Sequence, residues 1–327
     1  MLYPKFIKEN GTIGIVALSA GVGDKLDEFN ASLSVLKANG YKIIETKSVR
    51  TSGERSNTPI IRAQELDELI TDNNVDMIML ASGGDSQIET IPYIDYKHIK
   101  ENPKWIMGYS DPTNLSFIVT TMLDIASIYG YNGGSFTLDN TLEQKTNLEY
   151  IKGNLFKQES YDKYIDFIDL LNDNKNEKPV YYKSNTSLNI SGRCIGGCLD
   201  AIDKIIGTKY DYVSEFIDKY KDDGIVWYFD NFAMSAYNTY LTLLQFKYAG
   251  YFEHCKGVVF GRVAFANTND SKLINDYGLA YKEALGDIPY AYDLDIGHTY
   301  PSMVMINGAL TNIKVENGKG SIEFKLY

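Results

Sequence analysis

Residues 75–119, VDMIMLASGGDSQIETIPYIDYKHIKENPKWIMGYSDPTNLSFIV, decide the fold. Two short apolar runs, VDMIMLAS and PKWIMGYS, each end in small and polar residues. Upstream, GIVALSA, a helical period near 26–39, YKIIET and a helical period near 61–73 follow the same alternation. Strands alternating with helices imply parallel βαβ units. Ligands of such sheets gather at the carboxyl ends of the strands, which is where SGGD (82–85) and GYSD (108–111) fall.

Downstream, a polar Asn- and Lys-rich stretch from about 140 to 190 reads as a connection or a substrate flap. A second ordered block follows, with ISGRCIGGCLDAIDKIIG, GIVWYFDN, a helix near 235–250, GVVFGRV, a helix near 277–285, IPYAYD and terminal strands around MVMINGA and SIEFKL. The chain therefore divides into an N-terminal α/β domain (1–150), a connecting segment (151–188) and a smaller, β-rich α/β domain (189–327). A length of 327 residues suits two cores, and 44% hydrophobic content can fill both.

A net charge of −11 with no Lys/Arg cluster weighs against nucleic acid as a partner. No run approaches the roughly twenty apolar residues that span a bilayer, and IGIVALSA (13–20) reads as a first buried strand rather than a signal core. Three cysteines in apolar surroundings suit a reducing compartment, so the expected location is the cytoplasm. Only His98, His254 and His298 are present, none at zinc-finger spacing, and neither metal nor cofactor is expected.

Ser110 follows the run WIMG and precedes a segment whose early Pro112 suits the first turn of a helix. A serine on a strand-to-helix turn is lifted clear of the sheet, so its side chain is expected to be exposed, and Gly108 leaves room two positions earlier. The N–H groups that follow could hold an oxyanion. Alternatively Ser110 or Asp111 caps the helix. His298, in DIGHTYPSM, sits on a loop after a strand, where reactive side chains are displayed; it could equally be a hydrogen-bonded loop histidine. Asp230 ends the run GIVWYF and is the candidate to orient an imidazole, or else a cap for the next helix. Asp293 and Asp295 are nearer in sequence, but proximity along the chain does not orient a ring.

Taken in order, SGGDSQIETIPYIDYKHIKENPKWIMGYSDPTNLS, GRCIGGCLDAIDKIIGT, IVWYFDN with TLLQFKYAGYF, and DIGHTYPSMVMINGA resemble the LD-carboxypeptidase family of serine peptidases, most closely its microcin self-immunity branch. The resemblance implies a flavodoxin-like N-terminal domain carrying Ser110 as nucleophile, with Asp230 and His298 supplied by the C-terminal domain. It implies an oxyanion hole from backbone N–H groups at Gly83, Gly84 and Asp111, substrate contacts at Ser82 and Asp85, and a homodimer. Two departures stand out. The family usually has Glu where this chain has Asp230. Murein-cleaving members carry Arg where this chain has Ser82, and the loss removes a bidentate carboxylate clamp.

The expected reaction is serine-type amide hydrolysis. One substrate is a murein peptide cut at an L,D bond during peptidoglycan recycling. The other is a peptidyl- or aminoacyl-nucleotide antibiotic, whose base the aromatic residues at 181–182 could stack. A non-catalytic ligand-binding homologue is the reading from another class.

Overall fold

The apolar runs of the first half form strands because they are short and rich in Ile, Val and Met, and all but the edge strand over 42–45 are buried throughout. In the computed structural model, which describes residues 1–136 and 141–327, these are β1 (Thr12–Val16), β2 (Lys42–Glu45), β3 (Met77–Leu80), β4 (Trp105–Met107) and β5 (Ser127–Tyr129). Four short strands follow: β6 (Lys157–Glu159), β7 (Lys163–Tyr164), β8 (Lys178–Pro179) and β9 (Lys183–Ser184). Then come β10 (Leu188–Cys198), β11 (Ile225–Asp230), β12 (Cys255–Gly261) and β13 (Tyr290–Leu294), and finally β14 (Met305–Asn307), β15 (Leu310–Glu316) and β16 (Lys319–Lys325). The helices are α1 (Leu26–Ala38), α2 (Pro59–Thr71), α3 (Tyr96–Glu101), α4 (Thr113–Leu123), α5 (Leu142–Lys152), α6 (Phe167–Leu171), α7 (Leu199–Ile202), α8 (Val213–Tyr220), α9 (Ala236–Tyr248) and α10 (Tyr277–Leu285).

The chain makes two units, residues 1–156 with 304–308 and residues 157–303 with 309–327. In the first, β1 to β5 are parallel in the order β2-β1-β3-β4-β5. That is the flavodoxin-like order, whose switch point lies between β1 and β3. The loops leaving β1, β3 and β4 carry residues 17–23, 81–87 and 108–112, so the topology alone brings SGGD and GYSD to one end of the sheet. The helix expected near 61–73 starts two residues earlier, because Pro59 occupies its first turn and the Thr58 hydroxyl accepts the Ile61 N–H.

The sequence grouped MVMINGA with the C-terminal strands. Instead, β14 pairs antiparallel with β5 at the edge of the first sheet. Met305 and Ile306 are fully buried there, and an antiparallel edge strand is a frequent finish to a parallel sheet.

The second unit holds an eight-stranded sheet, β6-β16-β15-β10-β11-β12-β13-β9. Its centre, β10 to β13, is parallel, and antiparallel strands flank it on both sides. The stretch 151–188 carries β6 to β9 and α6; two- and three-residue polar strands at sheet edges leave little period to read. The flap expected from about 140 begins within residues 137–140, which lie outside the described residues. Among the described residues no helix is long and apolar enough to cross a membrane.

Candidate active site

In the first unit Ser110 stands in the left-handed region, with φ of 71°, a costly conformation for a side-chain-bearing residue and one that clusters at functional sites. Its N–H donates to the Tyr129 hydroxyl at 3.2 Å and its carbonyl accepts from Thr113 at 2.9 Å. Gly108 is needed, but by its neighbours: a Cβ there would lie 2.8 Å from Asn132 Oδ1 and 2.9 Å from Pro112 Cβ. Ser110 is half-buried rather than exposed. The reason is Gly83, whose missing side chain lets the backbone approach until an added Cβ would be 3.2 Å from both Cβ and Oγ of Ser110. The SGGD loop and the serine are thus in contact.

Neither Ser110 nor Asp111 caps α4, whose N-cap is Pro112 without a side-chain bond. The buried Asp111 carboxylate instead accepts from Ser19 Oγ, the Gln87 N–H at 2.8 Å and Asn114 Nδ2 at 2.8 Å. It staples the loops after β1 and β3 to the start of α4. Arg62, fully buried, reinforces them by donating to the Leu18 carbonyl at 2.6 Å and to Ser86 Oγ at 3.0 Å, with Glu89 at 3.0 Å. Burial depresses the Arg62 guanidinium pKa and Glu89 opposes the shift. Nothing in the helical period near 61–73 singles Arg62 out from its neighbours.

Gly84 is exposed with φ of +138°, and a Cβ there would meet Ser19 Oγ at 2.4 Å. Ser82 Oγ donates to the Ala20 carbonyl at 2.6 Å. A cavity of about 580 Å³ opens here, with Ser82, Gly83 and Tyr109 in its wall, Val22 and Phe29 in its apolar part, and Asp24, Glu28, Glu54 and Lys25 as its charged groups. Asp85 is exposed and lies outside that lining.

In the second unit Asp230 ends β11 with no exposure, in register with Cys198 on β10. His298 Nδ1 lies 2.7 Å from Asp230 Oδ2, so aspartate reaches the imidazole despite being one methylene shorter than glutamate. Gly297 permits the approach: with φ of +99°, a Cβ there would fall 1.9 Å from Asp230 Oδ1. Phe232 and Phe167 pack on the imidazole with centroids at 4.6 and 5.9 Å. Nδ1 facing a carboxylate leaves Nε2 as the nitrogen able to take a proton.

The rival assignments go elsewhere. The cap of α9 is Ser235, not Asp230. Asp293 pairs with Lys183 at 2.9 Å, Asp295 with Arg262, and His98 with Asp67 at 2.6 Å. Sequence reasoning missed Asp200, whose carboxylate accepts the N–H groups of Phe232 at 2.9 Å and Ala233 at 3.1 Å and so fixes the loop leaving Asp230. Of the tyrosines expected to stack a base, Tyr182 is buried and only Tyr181 is exposed.

Comparison with known proteins bears on these features. The LD-carboxypeptidase N-terminal domain matches residues 13–130 and the LD-carboxypeptidase C-terminal domain matches residues 191–313. A Vibrio cholerae protein provisionally named a carboxypeptidase is 26% identical over 99% of this chain and 98% of its own. The Escherichia coli microcin C7 self-immunity protein MccF is 27% identical over 95% of this chain and 92% of its own. The structure of MccF in complex with glutamyl sulfamoyl guanosine superposes with a TM-score of 0.85 at 22% identity, covering 100% of this chain and 99% of the other. A muramoyltetrapeptide carboxypeptidase from Oxalobacter formigenes gives 0.76 at 18% identity over 97% and 99% of the two chains. The matched domains, together spanning most of the sequence, make this chain a member of the LD-carboxypeptidase family and a serine-peptidase-like hydrolase.

Proposed function

We propose that the chain hydrolyses an amide bond with Ser110 as nucleophile, His298 as general base and Asp230 as the group that orients it, the nucleophile coming from residues 1–150 and the other two from 189–327. The observation that carries this reading is the 2.7 Å approach of His298 Nδ1 to Asp230, made possible by a glycine that no other residue type could replace without a clash. His298 Nε2 takes the Ser110 proton as Oγ attacks the carbonyl carbon. N–H groups at Gly84 and Asp111 receive the oxyanion, the C–N bond breaks, and the amine leaves with the proton from His298. Water, activated by the same histidine, then releases the acyl group and regenerates Ser110.

The substrate we favour is an aminoacyl- or peptidyl-nucleotide. Its support is the cavity beside Ser110, where Ser82 and the carboxylates of Asp24, Glu28 and Glu54 outnumber one Lys25. A murein tetrapeptide ends in a free carboxylate that the described lining offers no guanidinium to clamp, whereas the free ammonium of an aminoacyl or peptidyl group suits the carboxylates there. The relatives supply both chemistries: MccF structures hold aminoacyl sulfamoyl nucleotides, and the Oxalobacter enzyme is a muramoyltetrapeptide carboxypeptidase.

The test is mass-spectrometric cleavage of an aminoacyl sulfamoyl adenosine and a murein tetrapeptide by wild type and Ser110→Ala. Cleavage of the first, abolished in the variant, is the expected result. Release of D-Ala from the tetrapeptide alone would reassign the chain to cytoplasmic wall recycling. Cleavage of neither, with no labelling by a serine-reactive fluorophosphonate, would return it to a binding protein. A homodimer belongs to the same reading and is checked by light scattering of the purified protein.

A further inference from the structure

The loop bearing His298 runs from Asp295 to Met303, and much of what holds it comes from one distant stretch of chain. Within the loop, the Met303 N–H donates to the Asp295 carbonyl at 2.7 Å and the Gly297 N–H to Ser302 Oγ at 2.8 Å. At its start, the Asp295 carboxylate is fully buried and collects three donors. Arg262 Nη1 lies at 2.6 Å on one oxygen, while the Tyr182 hydroxyl and the Tyr161 N–H, the latter at 2.9 Å, share the other. At its far end, Ile165 and Tyr300 form an antiparallel bridge, with N–H to carbonyl distances of 2.6 and 3.2 Å. Between these two points Phe167 meets the His298 ring edge-on, at 89°. The segment from Tyr161 to Tyr182 therefore grips the loop three residues before the histidine and two residues after it, and touches the imidazole itself.

Arg262 binds the same strap from the other side. It leaves the carboxyl end of β12, its guanidinium lies 4.0 Å from the centroid of the Tyr164 ring, and it is almost wholly buried. Burial, with the charge of Asp295 beside it, keeps the Tyr182 phenol protonated far beyond its usual range, so the hydroxyl is a permanent donor. A buried ion pair contributes little net stability that well-packed apolar side chains could not match, whereas its directional bonds specify one geometry. Asp295 is thus well suited to fix where the next three residues go.

We infer that Tyr182, Asp295 and Arg262 are positioning residues for His298, and that the 161–182 strap acts through them to set the imidazole for proton transfer. This rests on His298 being the base, but its first readout does not depend on turnover. With three histidines in the chain, the His298 imidazole signal in a nitrogen-15 NMR spectrum is assigned by its loss in His298→Ala.

Tyr182→Phe keeps the ring and removes one of the three donors. The expected result, in a folded protein of nearly unchanged melting temperature, is a displaced His298 signal and a kcat lowered about tenfold with KM within about twofold, since sub-ångström misplacement of a general base acts on the chemical step. Arg262→Lys, which retains charge but loses the fork, should displace the same signal. Tyr248→Phe, at an exposed tyrosine ending α9, should move neither signal nor kcat. An undisplaced His298 signal in folded Tyr182→Phe and Arg262→Lys overturns the inference whatever the activity. Turnover surviving in His298→Ala overturns the function reading instead.

Discussion

Gly297→Ala puts a single methyl group against the acid of the proposed triad, and the structure sets the size of the effect. An alanine Cβ would sit 1.9 Å from Asp230 Oδ1 and 2.1 Å from its Cγ. Reaching even 3.0 Å requires about 1.1 Å of displacement between the loop and the carboxylate. The left-handed backbone, at φ of +99°, adds a strain of about 1–2 kcal/mol. A misplacement of about 1 Å in a reacting constellation costs about 10²-fold, so kcat/KM should fall about a hundredfold, equivalent to about 2.7 kcal/mol of transition-state stabilisation. That is milder than Asp230→Asn, for which loss of the orienting charge predicts about 10⁴-fold. The assay is steady-state hydrolysis of whichever amide is turned over, with the rate of fluorophosphonate labelling as a measure independent of substrate. Gly40→Ala is the control: its φ is +88° with nothing within 4 Å of the added Cβ, so it shares the backbone strain without the clash. It should lose stability and keep its rate. A Gly297→Ala enzyme within about threefold of wild type, or a Gly40→Ala enzyme equally slowed, would refute the reasoning.

Asp111→Asn replaces a buried acceptor of three donors with an amide that presents donors of its own; it should cost about 3 kcal/mol, lower the melting temperature by roughly 6–12 °C, and slow fluorophosphonate labelling of Ser110. A melting temperature within about 2 °C of wild type would contradict this. Asp203 has a carboxyl pushed up to about 6 by burial, with Asp200 adding to the shift and Lys204 opposing it, and its Oδ1 has no hydrogen-bond partner. A carboxyl whose folded pKa lies above its unfolded value contributes stability that is whole below about pH 4 and lost as pH rises through about 6. Discounted for the solvent that reaches it, the loss is about 1–2 kcal/mol, so Asp203→Asn should match wild type in melting temperature near pH 4 and exceed it at pH 7. An Asn variant less stable than wild type at pH 7 would sink the idea.

What the sequence made legible depended on whether the signal was local. The parallel βαβ character of the first sheet followed from apolar runs alternating with helical periods, because burial on both faces writes itself along a strand as a continuous run, whereas its flavodoxin-like architecture was implied only by the family resemblance. Ser110 could be found because its turn is spelled out by its own neighbours, Gly108 and Pro112. The partnership of Asp230 with His298 could only be nominated: 68 positions separate them, and nothing in IVWYFD says that the carboxylate points at a loop after β13. Gly297 was visible as a flanking glycine, but its function is steric and belongs to Asp230, as the function of Gly83 belongs to Ser110. Residues such as Arg62, Asp200 and Asp295 carry no local mark at all. Each looks like a solvated charge on paper, and each is a buried or loop-fixing group whose partners lie on other elements: Leu18 and Ser86 for Arg62, the Phe232–Ala233 turn for Asp200, Arg262 and Tyr182 for Asp295. Position in such a site is set by charges that the chain must fold to pair, whereas the proposed reacting groups themselves sit on turns short enough to read. That division explains why the candidate triad was legible in outline and its supporting network was not. It also explains why the weakly patterned 151–188 stretch, which offered no period, turns out to supply Tyr161, Tyr182 and Phe167 to the surroundings of the histidine.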